Sequence, residues 1–243
     1  MRSFEWHQLR FGKESAADTD PEECPQPAYC YHSRVTIKPK APQSGNKKVI
    51  VQNCTDSARL RHSLRTVFLD RDGVINRKMP EGQYVTNWNQ FELLPGVPEA
   101  ITRLNLAGLR VLVVTNQRGI ALGLYTSTNV EMIHAALQQA LSALGAHIDG
   151  FYFCPHDKRQ CTCRKPGPGL FEQARTEFPD ITPETSVIIG DSLSDIEFGT
   201  NLNLDTVFIE GDPQHRKPGA EKAAALARQT AGSLSEAVSI LLD

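Results

Sequence analysis

A chain of 243 residues, 40% hydrophobic and 22% charged, has the composition of a globular protein and the length to bury one substantial core. A formal net charge of -2 argues against a general nucleic-acid binder, while leaving room for a local basic pocket for phosphate. No stretch approaches the ~18 apolar residues of a membrane span, and residues 1–7 carry no apolar run able to act as a signal peptide, so a cytoplasmic protein is expected.

Residues 1–63 read as an extension. Pro21, Pro25, Pro27, Pro39 and Pro42 are spread among Gly, Ser, Asp and Lys, and no helical or strand period persists. Such a segment is expected to be largely disordered or loosely attached, with residues 64–243 forming the domain proper. Residues 35–37 and 49–51 are short candidate strands. Cys24, Cys30 and His32 have metal-capable side chains without the spacing of a tight site.

Residues 66–69 are apolar or β-branched on both faces, the pattern of a buried strand, and they run straight into Asp70-Arg71-Asp72-Gly73. Strand alternation points Asp70 and Asp72 one way and Arg71 the other. Gly73 lets the backbone turn away. In open α/β sheets the crevice beyond the strand C-termini is where ligands bind. One carboxylate placed there can attack phosphorus and form an acyl-phosphate. The other can protonate the leaving oxygen and later deprotonate a water. Their mutual repulsion favours a hard cation between them. A calcium loop of the EF-hand type fits poorly: Glu81 stands at position twelve, but Ile75 occupies position six, where Gly is required.

Residues 77–97 form a loop too short for a large lid; Met79, Tyr84, Trp88 and Phe91 are expected to pack on the body. From Val97 a helix fits Ala100, Ile101, Leu104 and Leu106 and stops near Gly108. Residues 111–114 form a second buried strand ending on Thr115-Asn116-Gln117-Arg118-Gly119-Ile120. The Thr115 hydroxyl and the backbone N–H groups after it suit a phosphoryl oxygen. Residues 122–144 carry an amphipathic pattern through Val130, Ile133, Leu137, Leu141 and Leu144, with Thr126, Ser127 or Thr128 as cap. His134 on this helix reads as a surface or packing residue.

The third strand, residues 148–153, leads to Cys154, His156, Cys161 and Cys163, three thiols and an imidazole that fit a closed, tetrahedral structural zinc site. A disulfide would use two of these cysteines, leave one over and need an oxidising compartment. Arg164 and Lys165 come directly after. Two adjacent cations suit a phosphate ester, and Pro166 restricts Lys165 to extended geometry, from which it can compensate phosphoryl charge. After a helix at residues 169–178, residues 186–190 form the fourth strand and Asp191 ends it, placed to complete a Mg²⁺ shell with Asp70 and the carbonyl of Asp72. Asp195, one turn on, either stands behind that shell or opens the next helix. Residues 206–209 are a fifth strand, 211–219 a loop, and 220–242 closing helices.

Four stretches in this order, Asp-Arg-Asp-Gly-Val, Thr-Asn-Gln-Arg-Gly-Ile, Arg-Lys-Pro and Gly-Asp-Ser-Leu-Ser-Asp, resemble the motifs of the haloacid dehalogenase-like phosphatases across residues 64–243. The resemblance implies a Rossmannoid three-layer α/β sandwich with a mainly parallel five-stranded sheet and a minimal cap. It implies Asp70 as nucleophile, Asp72 as acid/base, Thr115 and Lys165 as phosphoryl ligands, and Mg²⁺ on Asp70, Asp72 and Asp191. Asn116, Gln117, Arg118 and Arg164 are implied to touch substrate. The Cys-x-His…Cys-x-Cys-Arg-Lys-Pro run, with Asp-Arg-Asp-Gly-Val-Ile-Asn, is similar to the zinc-loop branch of heptose 1,7-bisphosphate and histidinol-phosphate phosphatases. That similarity implies a phosphomonoesterase of ADP-heptose or histidine biosynthesis, with a phosphorylated small molecule rather than nucleic acid or membrane as partner; a monomer is compatible with it. A second anionic group would suit Arg164 and Arg118 and favours the sugar bisphosphate. Ser192 departs from the pattern, since some heptose enzymes carry Lys there. A non-catalytic, zinc-stabilised interaction module is the contrasting reading, disfavoured because every catalytic position is filled.

Overall fold

The structure, a computed structural model, describes residues 63–211 and 218–243. The expectations for residues 1–62, including the candidate strands at 35–37 and 49–51 and the side chains of Cys24, Cys30 and His32, lie outside the described residues, as does most of the 211–219 loop.

Six strands alternate with helices: β1 Thr66–Leu69, α1 Val97–Leu106, β2 Arg110–Asn116, α2 Ser127–Ser142, β3 Gly150–Cys154, α3 Gly169–Glu177, β4 Ser186–Gly190, α4 Leu193–Leu202, β5 Asp205–Ile209, α5 Ala220–Leu226, β6 Gln229–Ala231 and α6 Leu234–Leu242. All pairings are parallel, in the order β3-β2-β1-β4-β5-β6. Alternation within each strand feeds two cores. Val67, Leu69, Val111, Val113, Val187 and Ile189 face α1, α2 and α6, whereas Phe68, Leu112, Val114 and Ile188 face α3 and α4. This is the expected three-layer sandwich. The chain winds outward from β1 through β2 and β3, then restarts at β4 and winds the other way. The point of reversal lies between the C-terminal ends of β1 and β4, where a crevice opens. Asp70 and Asp191 are the residues that leave those two ends.

One element differs from the sequence reading. The sheet has six strands, not five: Gln229–Ala231 adds in parallel to β5, and it is too short and too polar to stand out as an apolar run. Within the amphipathic 122–144 stretch the helix starts at Ser127, behind Thr126, one of the three caps expected. Thr126 and Asn129 form a reciprocal capping box there, and Gly123 adopts a left-handed φ of 70° that ends any earlier helical turn. The 77–95 segment returns to the body as a small flap, with Arg77 N–H donating to the Glu92 carbonyl (2.7 Å) and Leu94 N–H to that of Ile75 (3.0 Å). Its aromatics pack inward as expected: Trp88 stacks on Phe91 at 5.0 Å, and Phe91 joins the core. Among the described residues, no helix is long and apolar enough to cross a membrane.

Candidate active site

Asp70 still belongs to the sheet's hydrogen bonding, its N–H donating to the Ile189 carbonyl at 2.9 Å. Beyond it the chain coils, and the Arg71 carbonyl accepts from the amides of Ile75 (2.9 Å) and Asn76 (3.1 Å). Gly73 has φ 107°, and a Cβ there would lie 2.3 Å from Asp191 Oδ2, so only glycine lets this coil sit against the end of β4. Oxygens of Asp70, Asp191 and Asp195 consequently converge to within 4.8 Å of one another.

Two lysines offset this negative charge. Lys165 is buried and its Nζ donates to Asp70 Oδ1 (2.9 Å) and the Val114 carbonyl (2.6 Å), and pairs with Asp195 Oδ1 (2.6 Å). Burial alone would lower its pKa, but Asp195 and Asp70 hold it above the usual lysine value, so it stays charged. Asp195 is itself fixed: Ser192 donates to its Oδ2 from the backbone N–H (3.0 Å) and the hydroxyl (2.5 Å). Lys78 reaches from the flap to Asp191 at 2.6 Å. A compact set of hard carboxylate oxygens at the mouth of a sheet is what Mg²⁺ accepts, with water completing its shell. Asp72 contributes no carboxylate oxygen to this cluster.

Asp72 instead lies in a cage of donors. Arg71 Nη2 donates to both its oxygens at 2.9 Å, Asn76 Nδ2 to Oδ1 at 3.0 Å, and Gln117 Nε2 to Oδ2 at 3.0 Å. Burial pushes this carboxyl pKa up, but the Arg71 charge and the three donors outweigh it and hold the group below the usual carboxylate value. Strand alternation was expected to turn Arg71 away. It does not, because β1 ends at Leu69 and the coil lets the guanidinium fold back onto its neighbour while lying near the Phe91 ring.

Thr115 sits at the end of β2, buried next to Gln117, whose Nε2 donates to its Oγ at 2.9 Å. Gln117 was expected to contact substrate, yet it is 2% exposed and turned into the protein, where the Tyr125 hydroxyl donates to its Oε1 at 2.7 Å. Burial raises the Tyr125 pKa to about 12. Asn116 clamps the backbone of Lys165, its Nδ2 donating to that carbonyl (3.1 Å) and its Oδ1 accepting from the N–H (3.0 Å). It also lines, with Lys158, Arg159, Arg164 and Ser194, an open cleft of about 370 Å³. Arg118, also expected at substrate, is not part of that lining; its guanidinium forks onto Asp157.

Behind the cleft, Cys154, His156, Cys161 and Cys163 bring their donor atoms within 4.8 Å of one another. The sulfur pairs are 3.2–3.5 Å apart, and His156 Nδ1 is 3.2 Å from Cys163 Sγ. These separations approach the ~3.8 Å edge of a tetrahedron built on zinc–sulfur bonds and are far from the ~2.05 Å of a disulfide.

Sequence reasoning placed Asp70, Thr115, Lys165 and Asp191 at one crevice; the structure brings Asp70, Lys165 and Asp191 together, with Thr115 near the end of the neighbouring strand β2. It missed Lys78 and Tyr125, which carry no motif, and the pairing of Asp195 with Lys165.

A family model described as HAD-hydrolase-like matches residues 162–237. The chain is 48% identical over 137 residues to a D-glycero-α-D-manno-heptose-1,7-bisphosphate 7-phosphatase of Mycobacterium bovis, covering 56% of this chain and 72% of that one. It is 33% identical over 184 residues to a D-glycero-β-D-manno-heptose-1,7-bisphosphate 7-phosphatase of Escherichia coli, covering 72% and 94%. Among solved structures, the D,D-heptose 1,7-bisphosphate phosphatase of B. bronchiseptica, complexed with magnesium and phosphate, superposes with a TM-score of 0.63 at 27% identity, over 74% of this chain and 98% of that one.

Proposed function

Because this chain belongs to the haloacid dehalogenase-like phosphatases, among the heptose-bisphosphate phosphatases, we propose that it removes the 7-phosphate of D-glycero-D-manno-heptose 1,7-bisphosphate through an aspartyl-phosphate on Asp70. The observation that carries this reading is the convergence at the β1–β4 switch point: the Asp70 carboxylate beside Asp191 with Lys165 on it, and Thr115 near the end of β2, the strand paired with β1.

Asp70 attacks phosphorus in line. Thr115 and the charged Lys165 donate to the phosphoryl oxygens and stabilise the charge that spreads over them. Asp72 protonates the departing C7 oxygen, in the acid form that an approaching dianionic phosphate favours. It then takes a proton from the water that attacks the aspartyl-phosphate, releasing phosphate and restoring Asp70. Mg²⁺, held by Asp70, Asp191 and the Asp72 carbonyl, would offset the negative charge shared by nucleophile and phosphate. Zinc on Cys154, His156, Cys161 and Cys163 would hold the loop presenting Arg164 and Lys165. The substrate's second phosphate would lie in the cleft of Lys158, Arg159 and Arg164, three cations suited to a dianion. The assignment of that phosphate to Arg118 is given up, since Asp157 offsets its charge.

Steady-state kinetics with both anomers of the bisphosphate and with histidinol phosphate test the reading. The bisphosphate is expected to win by at least ~10² in kcat/KM, since a site built for two phosphates leaves its cations unpaired with one. Asp70→Asn is expected to abolish turnover, an amide being a poor nucleophile. A preference for histidinol phosphate, or near-normal kcat in Asp70→Asn, would overturn it.

A further inference from the structure

The Tyr125–Gln117 pair has no path to the substrate, yet it ends on two groups proposed for the chemistry. Both residues are buried. Tyr125 is seated on Gly119, where a Cβ would lie 2.1 Å from the ring, and its hydroxyl is directed at Gln117 Oε1. The Gln117 amide has two N–H hydrogens and two acceptors within reach, Thr115 Oγ at 2.9 Å and Asp72 Oδ2 at 3.0 Å. Both ends agree on one orientation of the amide. Reversed, it would set a carbonyl oxygen against the Asp72 carboxylate, two acceptors with no hydrogen between them.

The orientation has a consequence for Thr115. Its oxygen already accepts from Gln117, so its own hydrogen must point elsewhere, and among the described residues no acceptor takes it. On the phosphatase reading, that hydrogen is left for a phosphoryl oxygen. Asp72 is held at the same time, with Oδ2 on Gln117 and Oδ1 on Asn76 and Arg71. We propose that Tyr125, acting through Gln117, is a positioning residue of the phosphatase reaction: it fixes the Gln117 amide so that the Thr115 hydroxyl is presented as a donor and the Asp72 carboxyl is held at one angle. This inference rests on the phosphatase reading above.

A phenylalanine at 125 keeps the ring and deletes one oxygen. The amide then loses one of the two contacts that select its orientation, and a larger fraction of molecules presents the wrong atom to Thr115 and Asp72. Tyr125→Phe is expected to lower kcat by about tenfold, the scale of one hydrogen bond felt in the transition state, with KM within roughly twofold. Gln117→Met, which removes both donors, is expected to lower kcat by about 10². The double variant is expected to be no slower than Gln117→Met alone, because Tyr125 has no other route to the site. Gln117→Glu keeps the shape and the Tyr125 contact, but two carboxylates about 3 Å apart share one proton, so it offers at most one donor where the amide offers two, and it is expected to be about tenfold slower than the wild type. Unchanged kcat in Tyr125→Phe, losses that multiply fully in the double variant, or near-normal kcat in Gln117→Glu would each overturn the proposal while the wild-type protein remains an active phosphatase. A wild-type protein that hydrolyses none of the phosphomonoesters overturns the parent reading and this inference with it.

Discussion

His134 shows how one side chain can govern the acid stability of the molecule. It sits on α2 at 5% exposure, its ring stacked 4.6 Å from Phe151, and Nε2 is buried with no partner. Sequence left surface and packing open for it; the structure decides for packing. Burial drives its pKa down to about 3 from 6.5, with the Arg71 charge adding to the effect. The folded state therefore keeps His134 neutral where the unfolded chain protonates it. Between pH 6.5 and about 3 the unfolded state binds the extra proton, so stability falls as pH falls through that window. From pH 7 to 5 the loss amounts to about 2 kcal/mol, from a folded pKa far below both values and an unfolded one near 6.5. His134→Phe, which keeps an aromatic ring against Phe151 and has nothing to titrate, is expected to remove this share of the acid sensitivity. Urea unfolding of both proteins at pH 7 and pH 5 measures it, and an unchanged pH dependence in the variant would show that other groups carry the effect.

At the scale of elements, the loop between β3 and α3 joins two kinds of order. Its ends are tied to the body: Gln117 N–H donates to the Cys154 carbonyl (2.8 Å), Ala121 N–H to that of Pro155 (3.1 Å), and Gly169 packs so closely on Cys163 that a Cβ would lie 2.7 Å from its Cα. Between them, Lys158, Arg159 and Arg164 stand on the backbone that the Cys154–His156–Cys161–Cys163 cluster gathers, with Arg118 on Asp157 and Asn116 on Lys165 as further ties. A structural zinc would contribute folding free energy to this loop; the core facing α1, α2 and α6 contains none of its ligands, whereas the core facing α3 and α4 includes Cys154, with Cys161 and Cys163 packed against it. Cys161→Ser is expected to leave the far-UV circular dichroism almost unchanged but to lower kcat/KM for a bisphosphate by roughly 10², the scale of misplaced binding groups. Elemental analysis of the wild type is expected to find about one zinc per chain. An active protein purified without zinc, with kinetics indifferent to Cys161→Ser, would remove the loop's proposed role. The loop was legible in the sequence because its ligands are local. Asp70, Thr115, Lys165 and Asp191 were legible because each comes after an apolar run or the zinc loop, at one edge of the sheet. Arg71 on Asp72, Gln117 turned inward, Asp195 on Lys165 and Lys78 on Asp191 were not. The first depends on where a strand stops, the others on which surfaces meet after folding.

On the scale of the whole molecule, the groups proposed for chemistry lie between Asp70 and Asp195, and the sheet that positions them is complete at its centre without residues 1–62. β1 is paired along its length on both sides, by β2 and by β4, so no further strand can enter next to the nucleophile. Just before β1, Leu64 is buried in the core, and Arg65 donates its N–H to the Thr185 carbonyl at 2.8 Å and accepts at its carbonyl from Arg110 at 2.9 Å. A cut before Ser63 therefore leaves the pairing of β1 with β2 and β4 in place. We propose on this ground that residues 1–63 are an extension of a self-sufficient phosphatase domain. Deleting residues 1–60 is expected to give a protein whose kcat stays within roughly twofold of the full chain, the scale of changes that touch neither core nor site. The truncated chain should unfold in one cooperative step, as single domains of this size do. The full-length and truncated proteins are compared by thermal unfolding and by kinetics under identical metal concentrations. A truncated chain that fails to fold, or that folds but loses turnover, would show that the first sixty residues supply core or active-site contacts, and that the domain begins upstream of the strand that carries Asp70.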